Sequence, residues 1–278
     1  MSPELAMLQG CNNIDTVGEN TADTTGVTVT AAASANTKGA SWQEIISSTT
    51  IRANYILVML GGTGTSSGDY LVDIAIGAAG SEKSLIDNIQ FSQVAIGGQV
   101  SAYLFPVVVP AGSRLSSKCQ ATNASGTIEV IIVLIGAGDK ASQGLSRVST
   151  YGATTADSGG TGVDPGGTIN TKGGWQQIVA STTYPIKQLL VVIGDRANTA
   201  MSTCNWLMDI GVGAGSAEKV LIPALFFCAG TTPDGIIPNI FGPFPVNIPA
   251  GTRISANPQC NINDASDRLI DVTLYGVD

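Results

Sequence analysis

FPVVVPAGSR at residues 105–114 returns as FPVNIPAGTR at residues 244–253, 139 positions further along the chain, and seven of the ten paired residues are identical. In both copies an apolar run ends at proline, Ala-Gly follows, and a second run begins at arginine. Proline followed two residues later by glycine is typical of a tight turn. The motif therefore predicts a corner between two β-strands, with Gly112 and Gly251 in the turns.

The similarity continues on both sides of this corner. NTKG at 36–39 recurs at 170–173, and Asp-Ile at 73–74 recurs at 209–210. The offset between the copies changes only in stretches rich in Gly, Asn, Ser or Thr, where insertions cost little. A period of about 135 residues is far longer than a solenoid unit, so each repeat is expected to be a domain with its own core.

The expected domain organisation follows from this duplication. We predict a first β-sandwich domain over residues 1–136, a linker over 137–149, and a second β-sandwich domain over 150–278. The linker residues are small, polar and partly charged. The stretch before Asn36, which includes Cys11, is expected to form an N-terminal arm that reaches a neighbouring molecule.

Within each repeat, short runs of Val, Ile, Leu and Thr are separated by Gly, Asn, Ser and Pro about every ten residues, which is typical of strands. The predicted fold class is all-β, with two tandem antiparallel jelly-roll-like sandwiches; a seven- or eight-stranded sandwich of another topology is the alternative. In the alternating run at 71–76, Asp73 should face away from the aliphatic layer, as should Asp209 in the second repeat. The eight strands predicted in the first repeat are 27–33, 42–48, 55–60, 70–76, 83–91, 102–109, 114–121 and 127–135.

Composition removes several classes of function. The formal charge is −8 and the 13 Lys and Arg residues form no cluster, so nucleic acid is not an expected partner. No apolar run approaches the roughly 18 residues that span a bilayer, and the N-terminus lacks an export signal, so no membrane is expected. The five cysteines show no Cys-x-x-Cys spacing and are expected to be reduced thiols.

The chain has no histidine, which removes the commonest general base and metal ligand. Glycoside hydrolysis by two carboxylates is the remaining enzymatic alternative, since Asp73 and Glu82 are close in sequence. Both residues recur in the second repeat, however, and a doubled structural feature is expected there rather than a doubled active site. No loop has the regular acidic spacing of a calcium site. We therefore expect no enzyme activity, no catalytic residue, no cofactor and no metal.

Two sets of charged residues that recur in both repeats are candidate structural positions. Arg114 and Arg253 are expected to hold Asp73 and Asp209 as structural clamps, with a ligand contact as the alternative. The Glu-Lys pairs at 82–83 and 218–219 are expected to be solvated hairpin ends, with an interface charge pair as the alternative.

The three tryptophans fall into two groups. Trp42 and Trp175 occupy equivalent positions and are expected to pack in the two cores at the start of a strand. Trp206 has no counterpart; core packing is expected for it too, while a sugar-stacking platform or an interface anchor is the alternative.

The NTKGxxW motif, the Asp-Ile strand with Glu-Lys after it, and the FPVxxPAG[ST]R corner resemble tandem jelly-roll structural proteins of tailed-bacteriophage virions. That group includes head decoration (cement) proteins and tail or fibre components. The resemblance covers the chain from about Asn36 to Gly276 and implies a structural protein of the virion's outer surface, made in the host cytoplasm. The implied partners are major capsid or tail subunits and further copies of the chain, with a trimer favoured.

Two other functions stay open. A carbohydrate-binding or host-receptor module of the tail-fibre type would bind a glycan receptor and would need exposed aromatic rings. A double jelly-roll capsid protein would build a shell from two sandwiches in one chain.

Overall fold

The computed structural model describes residues 13–62, 68–93, 99–136, 147–195, 204–229, 238–262 and 270–278. These residues form β-strands joined by turns, and no helix occurs among them, so none in this part of the chain is long and apolar enough to cross a membrane. The predicted all-β fold class is confirmed.

Nine described strands follow one another in the same order in each repeat. The first repeat contains β1 (Asn13–Val17), β2 (Val27–Thr30), β3 (Gln43–Ile46), β4 (Tyr55–Gly62), β5 (Gly68–Ile76), β6 (Lys83–Gln93), β7 (Gln99–Phe105), β8 (Leu115–Ala121) and β9 (Thr127–Gly136). The second contains β10 (Val148–Tyr151), β11 (Thr161–Val163), β12 (Gln176–Val179), β13 (Ile186–Asp195), β14 (Cys204–Val212), β15 (Lys219–Ala229), β16 (Asn239–Ile248), β17 (Ile254–Cys260) and β18 (Ile270–Val277).

The strands of each repeat form two antiparallel sheets. Sheet I has the order β2–β9–β4–β7, with β1 also paired to β9, and sheet II has the order β3–β8–β5–β6. Sheet III (β11–β18–β13–β16, with β10 also on β18) and sheet IV (β12–β17–β14–β15) repeat these orders. Neighbours that are distant in sequence in both sheets give the two Greek keys of a jelly roll. This strand order distinguishes the jelly roll from the alternative sandwich topologies.

Residue alternation along the strands builds the two cores. In β4, Ile56, Val58 and Leu60 are fully buried while the residues between them are half-exposed. Val72 and Ile74 on β5 join the same core, and Asp73 faces the other side of the sheet, as the sequence pattern predicts. Each sandwich is therefore filled from its two inner sheet faces.

The ends of the first repeat differ from the expected boundaries. The expected N-terminal arm is wrong for residues 13–17 and 27–30, because these segments are strands that pair with β9 of the same sandwich. Cys11 lies outside the described residues. Of the expected linker, residues 137–146 also lie outside them, and Val148 and Ser149 already belong to β10.

Candidate assembly surfaces

The two corner motifs have the same geometry. Gly112 and Gly251 have φ angles of 77° and 80°, a region that glycine enters without steric cost. Thr49 Oγ1 donates a hydrogen bond to the Pro110 carbonyl at 2.9 Å, and Thr182 makes the equivalent bond in the second repeat at 3.0 Å. These contacts fix each motif as a turn between two strands.

The corner arginines bind glutamates. Arg114 Nη1 lies 2.9 Å from Glu82 Oε1, and Arg253 Nη1 lies 2.6 Å from Glu218 Oε1. The expected clamp on the aspartates is therefore wrong. The arginines lie beside the ends of β5 and β14, whereas Asp73 and Asp209 lie three residues before those ends. The glutamates are nearly buried beside arginine, so a solvated hairpin end is also the wrong description of these residues.

The two aspartates bind the lysines of the NTKG motifs. Lys38 Nζ lies 2.5 Å from Asp73 Oδ1, and Lys172 Nζ lies 2.9 Å from Asp209 Oδ1. Asp73 also accepts a hydrogen bond from the Asn88 amide at 2.8 Å, and Asp209 accepts the equivalent bond at 2.7 Å. Burial lowers the pKa of Lys38. Each pair ties a loop to the outer face of sheet II or sheet IV.

Trp42 and Trp175 lie outside both cores, so the expected core packing is wrong for these two residues. Both are half-buried, one residue before β3 and β12. Lys118 Nζ lies 4.4 Å from the centroid of the Trp42 ring, a cation–π contact on the outer side of sheet II. The Trp175 ring lies so close to Gly211 that a Cβ atom there would come within 2.6 Å of it. These rings cover sheet surfaces.

Trp206 lies inside the second core and is fully buried. Its ring stacks on Phe227 with centroids 5.5 Å apart, and its Nε1 lies 3.0 Å from Cys204 Sγ. The structure leaves no ring surface for a sugar or a partner, so the sugar-platform and interface-anchor alternatives are wrong for this residue.

The two sandwiches contact each other through sheets II and III. Tyr275 on β18 is fully buried, with its ring centroid 5.6 Å from that of Phe105 and 6.4 Å from that of Tyr103. Its hydroxyl accepts a hydrogen bond from the Gln90 amide at 2.8 Å and donates one to the Asn88 carbonyl at 2.9 Å. The second-repeat residues that join the first core are Leu190, Val192, Tyr275 and Val277.

Polar side chains complete this contact. Thr273 Oγ1 donates to Gln90 Oε1 at 2.7 Å. Gln120 Nε2 donates to Ser158 Oγ at 3.0 Å, and Ser158 Oγ donates to Asn36 Oδ1 at 2.8 Å. Ser158 is fully buried in the turn between β10 and β11. A turn of the second repeat is therefore inserted into a site on the first.

We call the outer face of sheet II, with the loop of Asn36, a socket face, and the outer face of sheet III, with the turn at 154–159, a plug face. Each repeat has one face of each kind. The plug face of sheet I, with the turn at 20–25, and the socket face of sheet IV are not covered within the described chain. Ile14 on sheet I is 69% exposed, and Phe226 on sheet IV is 57% exposed.

The two uncovered faces are not flat. A groove of about 560 Å³ lies on the plug face of sheet I beside the turn at 20–25; it is lined by residues including Thr24, Met59, Val100, Glu129 and Ile131. A smaller pocket of about 140 Å³ lies on the socket face of sheet IV; it is lined by residues including Asn170, Leu207, Phe226 and Gln259.

A buried carboxyl group lies in the covered contact. Asp69 on the socket face of sheet II is 5% exposed. Burial, and then the negative charge of Asp157 on the plug turn, raise the pKa of Asp69 from 3.8 to about 7. The equivalent residue on sheet IV is Asn205, which is exposed.

No family model and no curated protein matches the chain. Among solved structures, PNGF-II is similar over 95% of this chain and 65% of its own, at 12% identity and a TM-score of 0.41, so the chain spans less than two thirds of that protein. The cryo-EM structure of Broad Bean Stain Virus is similar over 95% and 89%, at 9% identity and a TM-score of 0.34. The CBM22-1-CBM22-2 tandem domain of Paenibacillus barcinonensis Xyn10C is similar over 82% and 80%, at 8% identity and a TM-score of 0.25. The jelly-roll assignment rests on the strand order.

Proposed function

We propose that this chain is a non-enzymatic structural protein of the outer surface of a tailed-phage virion, a capsid decoration or tail-associated protein that bridges neighbouring subunits. It is a rigid module made of two jelly rolls, and it acts by adding buried interface. The proposal requires no cofactor and no metal.

The observation that carries this proposal is that the repeated charged residues form ion pairs within each repeat. In both repeats the arginine binds a glutamate and the lysine binds an aspartate, and these ion pairs hold turns or loops in place. What the described chain offers to other molecules is two broad sheet faces with exposed apolar side chains, a surface type that marks interaction sites.

The charge supports an external position. At a net charge of −8 the protein would be repelled by DNA packed inside a head, whereas the outer surface imposes no such repulsion. Major capsid or tail subunits and further copies of the chain are the proposed partners, with a trimer as the proposed homo-oligomer.

The test is antibody labelling of virions of the phage that encodes the chain, viewed by negative-stain electron microscopy. Label on the head or the tail supports the proposal and gives the location. Purified virions that carry no label and contain no peptide of the chain by mass spectrometry would refute it.

A carbohydrate-binding or host-receptor function is a second candidate because of the groove on sheet I. Its carboxylate and hydroxyl groups, from Glu129 and Thr24, lie beside the apolar side chains of Met59 and Ile131, and such a mixture suits a sugar. Binding on a glycan array that is lost in Glu129→Ala would favour this function over the structural one.

A double jelly-roll capsid protein is the third candidate. The buried contact around Tyr275 joins the two sandwiches firmly, as a shell subunit requires. Assembly of the purified chain into closed particles would favour it.

A further inference from the structure

The socket face of sheet IV retains the polar groups that hold the plug turn on sheet II. Asn170 corresponds to Asn36, and both have a positive φ, 57° and 54°. Gln259 corresponds to Gln120. In the first repeat these two side chains bind the Ser158 hydroxyl, whereas in the second they line the pocket of about 140 Å³. The pocket therefore has the donors and acceptors for a hydroxyl carried by a turn.

The plug face of sheet I retains such a turn. Its sequence TADT at 21–24 corresponds to TADS at 155–158, and each turn is closed by a single β-bridge. Thr24 lies at the position of Ser158, and their φ angles are 59° and 60°. A β-branched residue rarely adopts a positive φ. A hydroxyl is thus presented by the same backbone geometry in both turns, and Thr24 is exposed.

Around this polar site the two uncovered faces are both more apolar than their covered equivalents. The hydrogen-bonded pair of the covered contact is Gln90 and Thr273. Phe226 replaces Gln90 on sheet IV, and Ile131 replaces Thr273 on sheet I, because Ile131 pairs with Met59 as Thr273 pairs with the equivalent Val192. Two residues that would meet if the contact were repeated have therefore changed together, from a polar pair to an apolar pair.

The groove on sheet I gives room for this apolar contact. In the covered contact the Gln90 side chain lies so close to Gly194 that a Cβ atom there would come within 2.2 Å of it. The equivalent of Gly194 is Gly61, which lines the groove of about 560 Å³ together with Met59. A phenylalanine at the Gln90 position can enter that groove and pack against the Met59 side chain.

The acidic groups of the contact also differ between the covered and the uncovered faces. In the covered contact the negative charge of Asp157 on the plug turn disfavours a second negative charge on Asp69. On the uncovered faces Asp23 corresponds to Asp157, but Asn205 replaces Asp69. The repeated contact would therefore bring an aspartate to an amide and would avoid the repulsion between two carboxylates.

From these correspondences we infer that copies of this chain bind one another head to tail, through the plug face of sheet I on one copy and the socket face of sheet IV on the next. Thr24 enters the pocket between Asn170 and Gln259, and Phe226 enters the groove beside Met59. The occupant of each uncovered face is a second copy of this chain. The two uncovered faces are equivalent to the two faces that already bind each other inside the chain, so they can form the same contact between chains.

This inference rests on the proposed structural role and names the contact by which the module meets its own copies. Because the two faces differ, the contact is heterologous, and it produces a closed ring or an open filament of copies. A trimer would be one such ring.

The test is sedimentation velocity of the full chain from about 1 to about 100 µM, the range in which a modest interface populates a complex. Thr24→Arg blocks the plug, because an arginine is too large for the pocket, and Phe226→Asp blocks the socket. Both residues are exposed, so the fold should tolerate these changes. Val220→Asp is the matched control: Val220 is exposed on the same strand as Phe226, but its equivalent, Ser84, stays exposed in the covered contact.

The full chain and Val220→Asp should associate, and each blocking variant should bind at least about tenfold more weakly. A mixture of the two blocking variants should form a one-to-one dimer, because the first retains an intact socket and the second an intact plug. A chain that stays monomeric, a blocking variant that associates like the full chain, or a mixture that forms no dimer would overturn the inference.

Association that appears only after removal of residues 1–12 would also overturn it, by showing that this segment occupies the face. A monomeric chain that is still found on virions would overturn the head-to-tail contact and leave the structural role standing.

Discussion

The folded chain should become less stable as the pH rises from 5 to 8, through the buried carboxyl of Asp69. Its pKa is raised from 3.8 to about 7, so the folded state binds a proton that the unfolded state releases between those values. Stability from this group is complete below pH 4 and is lost as the pH rises through about 7. At about 1.4 kcal/mol for each pKa unit, the full effect is roughly 4 kcal/mol, of which roughly 3 kcal/mol falls between pH 5 and pH 8.

The assay is urea unfolding of the wild type and of Asp69→Asn at several pH values. The asparagine cannot ionise, so the free energy of unfolding of the variant relative to the wild type should rise by roughly 3 kcal/mol from pH 5 to pH 8. Asn205→Asp is the matched control, because an aspartate at that exposed position should show little of this effect. If the wild type and Asp69→Asn keep a constant difference across this range, the carboxyl does not carry a proton in the folded contact and the reasoning fails.

Three further predictions concern packing and backbone, each measured by urea unfolding. Tyr275→Phe removes two buried hydrogen bonds between the sandwiches and should cost about 1–3 kcal/mol, while Tyr184→Phe, at an exposed ring, should cost little. Trp206→Ala should cost about 3–5 kcal/mol, because the ring fills the second core; an unchanged stability would contradict its burial. Gly112→Ala should cost about 1–2 kcal/mol from the positive φ alone, since a Cβ there meets no atom within 4 Å.

The sequence was sufficient to predict the strands of the first repeat, because apolar alternation and turn residues are local signals. Its eight predicted strands correspond to β2 through β9. Strand β1 (Asn13–Val17) was missed because NIDTV does not alternate: Ile14 and Val17 are three residues apart, and the polar residues between them carry no strand pattern. The sequence does not predict the strand order, because β9 pairs with strands that are far away in sequence and local patterns do not choose such partners.

The functional residues were predicted less well, because recurrence in both repeats does not tell an inner face from an outer face. Trp42 and Trp175 recur, yet both lie on outer surfaces. The arginines recur, yet they bind glutamates because of a register that only the paired strands reveal. Recurrence does not mark Tyr275, because its equivalent in the first repeat is Val133; the difference between the two residues is the signal that sequence comparison offers.

Differences between the repeats carry information that the identical residues lack. A sheet face that remains in water is expected to be polar, and one that is covered can be apolar. Here the position of Gln90 is covered and polar, whereas the equivalent Phe226 is exposed and apolar. Solvent exposure alone would favour the opposite arrangement. The phenylalanine is best explained if sheet IV is covered in the assembled state, and a surface that matches it, with a groove at the required place, lies on sheet I of the same chain.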